Sequence, residues 1–198
     1  MPDEVAGING DDADRREEAD VVARIRAGES HLYGILIDRH QRRLWWAVRR
    51  LLNDPDDVDD VVQEAFVRAW EHLGDYDPAY RFYTWLYTIA RNRALNVLRR
   101  QKVRGFVSLS ADDAPPVAHP GDASTRAEGN ELAGALAECR GTLPEDQREA
   151  FDLRHADGLS YAEIARAIGA PEGTVMSRLH RARGKMRDCL RSKGVTWP

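Results

Sequence analysis

Cysteine is nearly absent from this chain: Cys139 and Cys189 are the only two in 198 residues. They are too few and too far apart in sequence for a disulfide framework or a CxxC metal clip, so both are expected as ordinary reduced thiols. No apolar run approaches the roughly 18 residues that span a bilayer. The N-terminus MPDEVAGINGDDADRREEAD has neither the basic nor the apolar part of a signal peptide. A cytoplasmic protein without membrane insertion is the expectation. There is no G-x-S-x-G elbow and no phosphate-binding P-loop. The six histidines, at 31, 40, 72, 119, 155 and 180, show no paired ligand spacing. No enzymatic constellation, cofactor or metal site is therefore expected.

What the chain does have is charge sorted by position. The net charge of −4 averages over blocks of opposite sign. Residues 1–20 carry eight acids against two arginines, and residues 103–169 carry twelve acids against six cations. The blocks 21–102 and 170–198 are net positive. Any single charge run can be no more than a solvated helix face. Two basic runs, each ending a separate helical block, point to contact with a polyanion.

Apolar residues recur at three- and four-residue spacing in VVARI, LYGILIDRHQRRLWWAVRRLL and VDDVVQEAFVRAW, and no period-two strand competes. An all-α chain follows: a disordered acidic tail over 1–20, a four-helix domain over 21–102, a linker over 103–127 and a second helical domain over 128–190. The linker expectation rests on Pro115, Pro116, Pro120 and Gly121, which prevent regular structure. In the second domain, Gly141-Thr142-Leu143-Pro144, Asp157-Gly158 and Gly169 punctuate four shorter helices.

The stretch LSYAEIARAIGAPEGTVMSRLHRARGKM is a helix-turn-helix pattern. Ser160 and Glu163 have capping-box spacing, Ile164, Ala165 and Ile168 form a buried side, and Gly169 ends the first helix. In the second helix, Val175, Leu179, Ala182 and Met186 form the core stripe. At 100° per residue, Gly173, Ser177, His180 and Arg181 lie opposite that stripe, flanked by Met176, Thr174 and Arg178. The exposed face has no acid from Gly173 to Arg187, which suits a DNA major groove better than a solvated hairpin.

RFYTWLYTIARNRALNVLRRQK, residues 81–102, poses a different choice. Leu86, Ala90, Ala94 and Val97 share one helix side and are expected as core. Trp85 instead aligns with Thr88, Asn92, Asn96 and Arg99, a polar stripe. From Pro78 to Ala111 there are seven cations and no acid. Aromatics stacking on bases while cations hold the backbone is how single strands are gripped. Packing of Trp85 on a neighbouring helix is the equal alternative, since tryptophan is mostly buried.

Three segments in this order resemble the extracytoplasmic-function group of RNA polymerase sigma factors: DPDDVDDVVQEAFVRAW, FYTWLYTIARNRALNVLRR, and LPEDQREAFDLRHADGLSYAEIARAIGAPEGTVMSRLHRAR. The match covers roughly residues 25 to 190. The resemblance implies an alternative-sigma initiation factor that binds core polymerase (its beta and beta′ subunits), directs it to promoter DNA and promotes melting, with an anti-sigma factor as a further partner. Asp57, Asp60, Gln63, Glu64 and Arg68 would contact core polymerase. Tyr76, Asp77, Tyr80, Arg81, Phe82, Trp85, Asn92, Arg93, Asn96 and Arg99 would meet the −10 element, the loop from Tyr76 to Phe82 capturing a flipped base. Ser160, Gly173, Thr174, Met176, Ser177, Arg178, His180 and Arg181 would read the −35 element.

One departure is that the adjacent tryptophan pair of housekeeping relatives is Trp85-Leu86 here, which implies weaker melting and stricter dependence on promoter sequence. The acidic N-terminus lies outside the resemblance. Two readings from other classes stay open: a stand-alone helix-turn-helix repressor or activator with an N-terminal oligomerisation domain, and a purely protein-binding helical adaptor. A repressor would bind duplex DNA unaided, and an adaptor would not bind it at all.

Overall fold

The computed structural model describes residues 8–105 and 128–195. They form eight α-helices and two short 3-10 turns, with no strand among the described residues. Contacts divide the chain into two units, one on either side of residues 106–127. The expected linker falls almost wholly outside the described residues.

The first unit contains α1 (Ile8–Arg26), α2 (Tyr33–Arg49), α3 (Pro55–Glu71) and α4 (Phe82–Gly105). Helix α3 starts where local chemistry directs it. Asp54 accepts a hydrogen bond from the Asp56 amide at 3.0 Å, Pro55 occupies the first turn, and Asp56 and Asp57 sit at the positive end of the helix dipole. Val58, Val61, Ala65 and Ala69 then form a buried stripe against α2 and α4. In α4, Leu86, Ala90 and Ala94 are fully buried as their spacing predicts, while Val97 is half-buried.

The N-terminal segment departs from expectation. Helix α1 begins at Ile8, inside the acidic segment expected to be a disordered tail. Its acids have partners on α2: Glu17 accepts from Arg39 at 2.7 Å, and buried Glu18 stands 2.8 Å from His40 Nε2 and 3.6 Å from Arg39. The His40 ring nitrogen approaches this carboxylate without an aligned hydrogen bond. A buried carboxylate is tolerated when such partners replace water, and Val21, Val22 and Ile25 complete the docking of α1 by apolar burial.

The second unit contains α5 (Glu128–Gly141), α6 (Glu145–His155), α7 (Tyr161–Ile168) and α8 (Glu172–Ser192). Ser160 and Glu163 close the capping box, and Gly169 ends α7 at φ +67°, a left-handed conformation that glycine adopts without a Cβ penalty. Val175, Leu179, Ala182 and Met186 are all buried. One core cluster joins Cys139, Leu143, Phe151, Ala182, Met186 and Leu190, beside an Arg140–Asp152 pair whose Nε–Oδ1 distance is 2.6 Å.

The two cysteines are not free thiols. Cys139 of α5 and Cys189 of α8 form a disulfide, with Cα atoms 5.7 Å apart across a sequence separation of 50. Sequence distance hides this because α5 folds back on α8, bringing the two side chains together in one core.

Candidate nucleic-acid and protein-docking surfaces

Around Trp85 the first unit has a cleft of about 330 Å³, lined by Arg68, His72, Asp75, Trp85, Ile89, Asn92, Arg93 and Asn96. Asn92 and Asn96 are exposed one turn apart on α4, as their alignment with Trp85 predicts. Trp85 itself is half-buried. Its ring packs 5.6 Å from Tyr76 and 5.7 Å from Phe82, and it also borders the cleft. The tryptophan thus packs on neighbours while part of it remains accessible from the cleft.

Tyr76 and Phe82 are different. Phe82 is 0% exposed and Tyr76 3%, so neither offers a ring face to an incoming base. They pack edge-on at 5.5 Å, and Phe82 also lies 5.6 Å from His40 of α2. Burial pushes the Tyr76 phenol up to about 12, and its hydroxyl donates to the Tyr80 carbonyl at 2.7 Å. Two of the expected base contacts thus form the floor beneath the loop instead of its surface.

The loop above that floor is held from two directions. Asp77 accepts from the Ala79 amide at 2.9 Å, a local turn that an aspartate side chain favours. From α1, Arg26 donates to the carbonyls of Leu73, Gly74 and Tyr76, and Arg15 donates to that of Ala79 at 2.9 Å. Asp77 is exposed, whereas Tyr80 and Arg81 are half-buried. Arg99 is exposed further along α4 and donates to Asn96 at 2.8 Å.

Helix α3 separates its predicted docking residues onto two sides. Asp60 and Gln63 are exposed, on one stripe with Val67, which is 55% exposed. Asp57 and Glu64 turn towards α4. Gln101 donates to Asp57 at 2.7 Å, and Glu64 pairs with Arg93. Glu64 also accepts from Arg68 at 2.9 Å.

A second groove, between α2 and α3, is one that sequence reasoning missed. Its walls include Ile37, Trp45, Trp46, Asp59, Gln63 and Val67. Trp45 donates its indole N–H to Asp59 at 2.6 Å and packs edge-on against Trp46 at 4.8 Å. The adjacent tryptophans in RRLWWAVRR were the available signal.

In the second unit, Gly173, Met176, Ser177, His180 and Arg181 are exposed along α8, opposite its buried stripe; Thr174 and Arg178 are half-buried at the margins. Both arginines have partners within the unit. Arg178 pairs with Asp146 of α6 at 3.1 Å, and Arg181 donates to the Ser177 carbonyl at 3.1 Å. Ser160 is committed locally, its hydroxyl donating to Glu163 at 2.8 Å. Among the described residues no cluster could hold a metal and no helix is long and apolar enough to cross a membrane.

Residues 36–104 match the family description Sigma-70 region 2, and residues 133–186 match Sigma-70, region 4. The chain is 37% identical over 173 residues to the ECF RNA polymerase sigma-E factor of Escherichia coli K12, covering 82% of this chain and 88% of that one. It belongs to the extracytoplasmic-function sigma factors. Two solved structures share the fold of this sigma factor. One is CnrH in complex with the cytosolic domain of CnrY, at TM-score 0.62 and 29% identity, covering 91% of this chain and 98% of that one. The other is the sigma factor RpoE in complex with the anti-sigma factor NepR from Bartonella quintana, at TM-score 0.66 and 24% identity, covering 80% and 96%. The first unit of the sigma factor is thus its region 2 and the second its region 4, and its function is transcription initiation, which the repressor and adaptor readings do not match.

Proposed function

We propose that this sigma factor docks on core polymerase through α3 and the neighbouring α2–α3 groove, and holds a melted −10 strand in the Trp85 cleft. In this reading α8 reads the −35 element. Asp60 and Gln63 meet a basic partner surface, and Trp45 and Trp46 supply apolar area for it. The polymerase carries out the chemistry, and the sigma factor supplies position and selectivity. An anti-sigma factor is the expected inhibitor, by analogy with the complex of RpoE, and the site of action is the cytoplasm.

The observation that carries this reading is the Trp85 cleft. An aromatic face, two amides and two guanidinium groups converge there. Its volume of about 330 Å³ lies within the range of roughly 300–1,000 Å³ typical of ligand pockets. Stacking supplies affinity for any unpaired base, asparagine side chains distinguish base edges, and arginines hold phosphates.

The test is transcription in vitro with purified core polymerase on genomic fragments. Discrete 5′ ends that require the sigma factor support the reading. Trp85→Ala should lose about ten-fold in open complex, because a stacked base contributes about 1–3 kcal/mol. A pre-melted promoter bubble should restore much of that loss. Specific 5′ ends that survive loss of the Trp85 side chain on both duplex and pre-melted templates would overturn the cleft as the strand site.

A further inference from the structure

Glu64 occupies a singular place between the two surfaces. It lies on α3, close to the stripe assigned to polymerase, yet its carboxylate points towards α4 and pairs with both Arg68 and Arg93. These are the two arginines that line the Trp85 cleft. One Glu64 oxygen faces Arg68, with Nε at 2.9 Å and Nη2 at 2.8 Å, and the other faces Arg93 Nε. Glu64 and Arg93 are each more than two-thirds buried, so solvent screens their pair less than it would a fully exposed one. The carboxylate stands where a phosphate would be bound, since arginine forks recognise both anions by the same geometry.

We propose that Glu64 acts as an internal substitute for the promoter strand: in the free sigma factor it occupies Arg93 and Arg68, and docking of a basic polymerase surface on α3 draws it away and releases both guanidinium groups to the DNA. This rests on the reading of the cleft as the strand site. It makes Glu64 a positioning residue, coupling polymerase docking to strand capture through one carboxylate. The coupling is reciprocal by thermodynamic necessity, so a bound strand also strengthens the hold on polymerase.

The test is strand affinity without polymerase. A fluorescent single-stranded DNA carrying the promoter element identified by transcription is titrated with full-length wild type, Glu64→Gln, Trp85→Ala and the double variant Glu64→Gln/Arg93→Gln, across a range of salt. Glu64→Gln should bind about five- to ten-fold more tightly at low salt, with a log–log salt slope steeper by roughly 0.7 for each arginine released to a phosphate. Arg93→Gln should remove most of that gain. Unchanged or weaker binding by Glu64→Gln, while Trp85→Ala still reduces affinity, overturns the proposal and leaves the cleft assignment standing. If Trp85→Ala has no effect in any background, the cleft assignment falls and takes the proposal with it. Should Glu64→Gln fold poorly, wild type still decides the matter. At saturating strand the wild-type Arg93 Nε–H proton resonance must leave its carboxylate-bonded position, because strand and Glu64 compete for one guanidinium group, and a resonance that stays in place overturns the proposal.

Discussion

Reduction of the Cys139–Cys189 bridge should weaken region 4 while leaving region 2 intact. The bridge closes a loop of 50 residues, for which the chain-entropy relation gives about 4 kcal/mol of stabilisation. A unit this small rarely draws more than about 3–5 kcal/mol from its apolar core, so losing the bridge takes region 4 close to its folding limit. For a domain of this size each kcal/mol shifts the midpoint by about 4–8 °C, which places the reduced unit roughly 15–30 °C below the oxidised one. Far-UV circular dichroism with and without reductant, repeated on Cys189→Ser, measures this directly. Region 2 is the internal control. It contains four of the five tryptophans, Trp45, Trp46, Trp70 and Trp85, and no cysteine, so its fluorescence midpoint should not move. Hydrogen exchange at the α8 amides locates the effect, since Leu190 and Met186 pack in the same core as Cys139. Coincident unfolding of the oxidised and reduced forms would refute the assignment of this stabilisation to the bridge.

Two further outcomes follow from burial and pairing. Phe82→Ala should cost about 3–5 kcal/mol of region 2 stability, as expected for a fully buried phenylalanine, and a pre-melted promoter should not rescue it. A normally stable Phe82→Ala protein rescued by the bubble would return Phe82 to the base-binding surface. Asp146→Asn should release Arg178 and strengthen −35 duplex binding by the polymerase holoenzyme by about two- to five-fold, since the pair it breaks is partly solvent-exposed. Footprinting at the −35 element measures it, and loss of affinity would show that Asp146 supports the reading arginine.

Much of region 4 is legible residue by residue because each signal there is local. The capping box at Ser160 and Glu163, the glycine stop at Gly169 and the stripe from Val175 to Met186 all act within a few residues, and all appear as their spacing predicts. Region 2 is less readable where packing decides. Tyr76 precedes a basic helix and Phe82 opens it, so both look like surface aromatics, but covering groups come from other elements, His40 over Phe82 among them. Glu18 sits in an acidic run whose composition predicts solvent, and only the approach of α2 explains its burial. The polarity of α3 predicts a docking helix without revealing that Glu64 turns inward to Arg93 while Asp60 and Gln63 turn out. The bridge from α5 to α8 is hidden for the same reason, since no short-range pattern marks a contact across 50 residues.

The attachment of the 73–80 loop has an evolutionary consequence. Arg26 and Arg15 hold this loop by its carbonyl oxygens, a contact blind to which side chains the loop carries. Exposed positions such as Pro78 and Ala79 can therefore vary while the main-chain path stays pinned from α1. If the loop borders the melted strand as proposed, exchanging a few of its side chains alters what the strand meets on a fixed backbone, without rebuilding the fold that presents them. Helix α1, although it comes from the acidic N-terminus, would then be the part that makes such divergence tolerable.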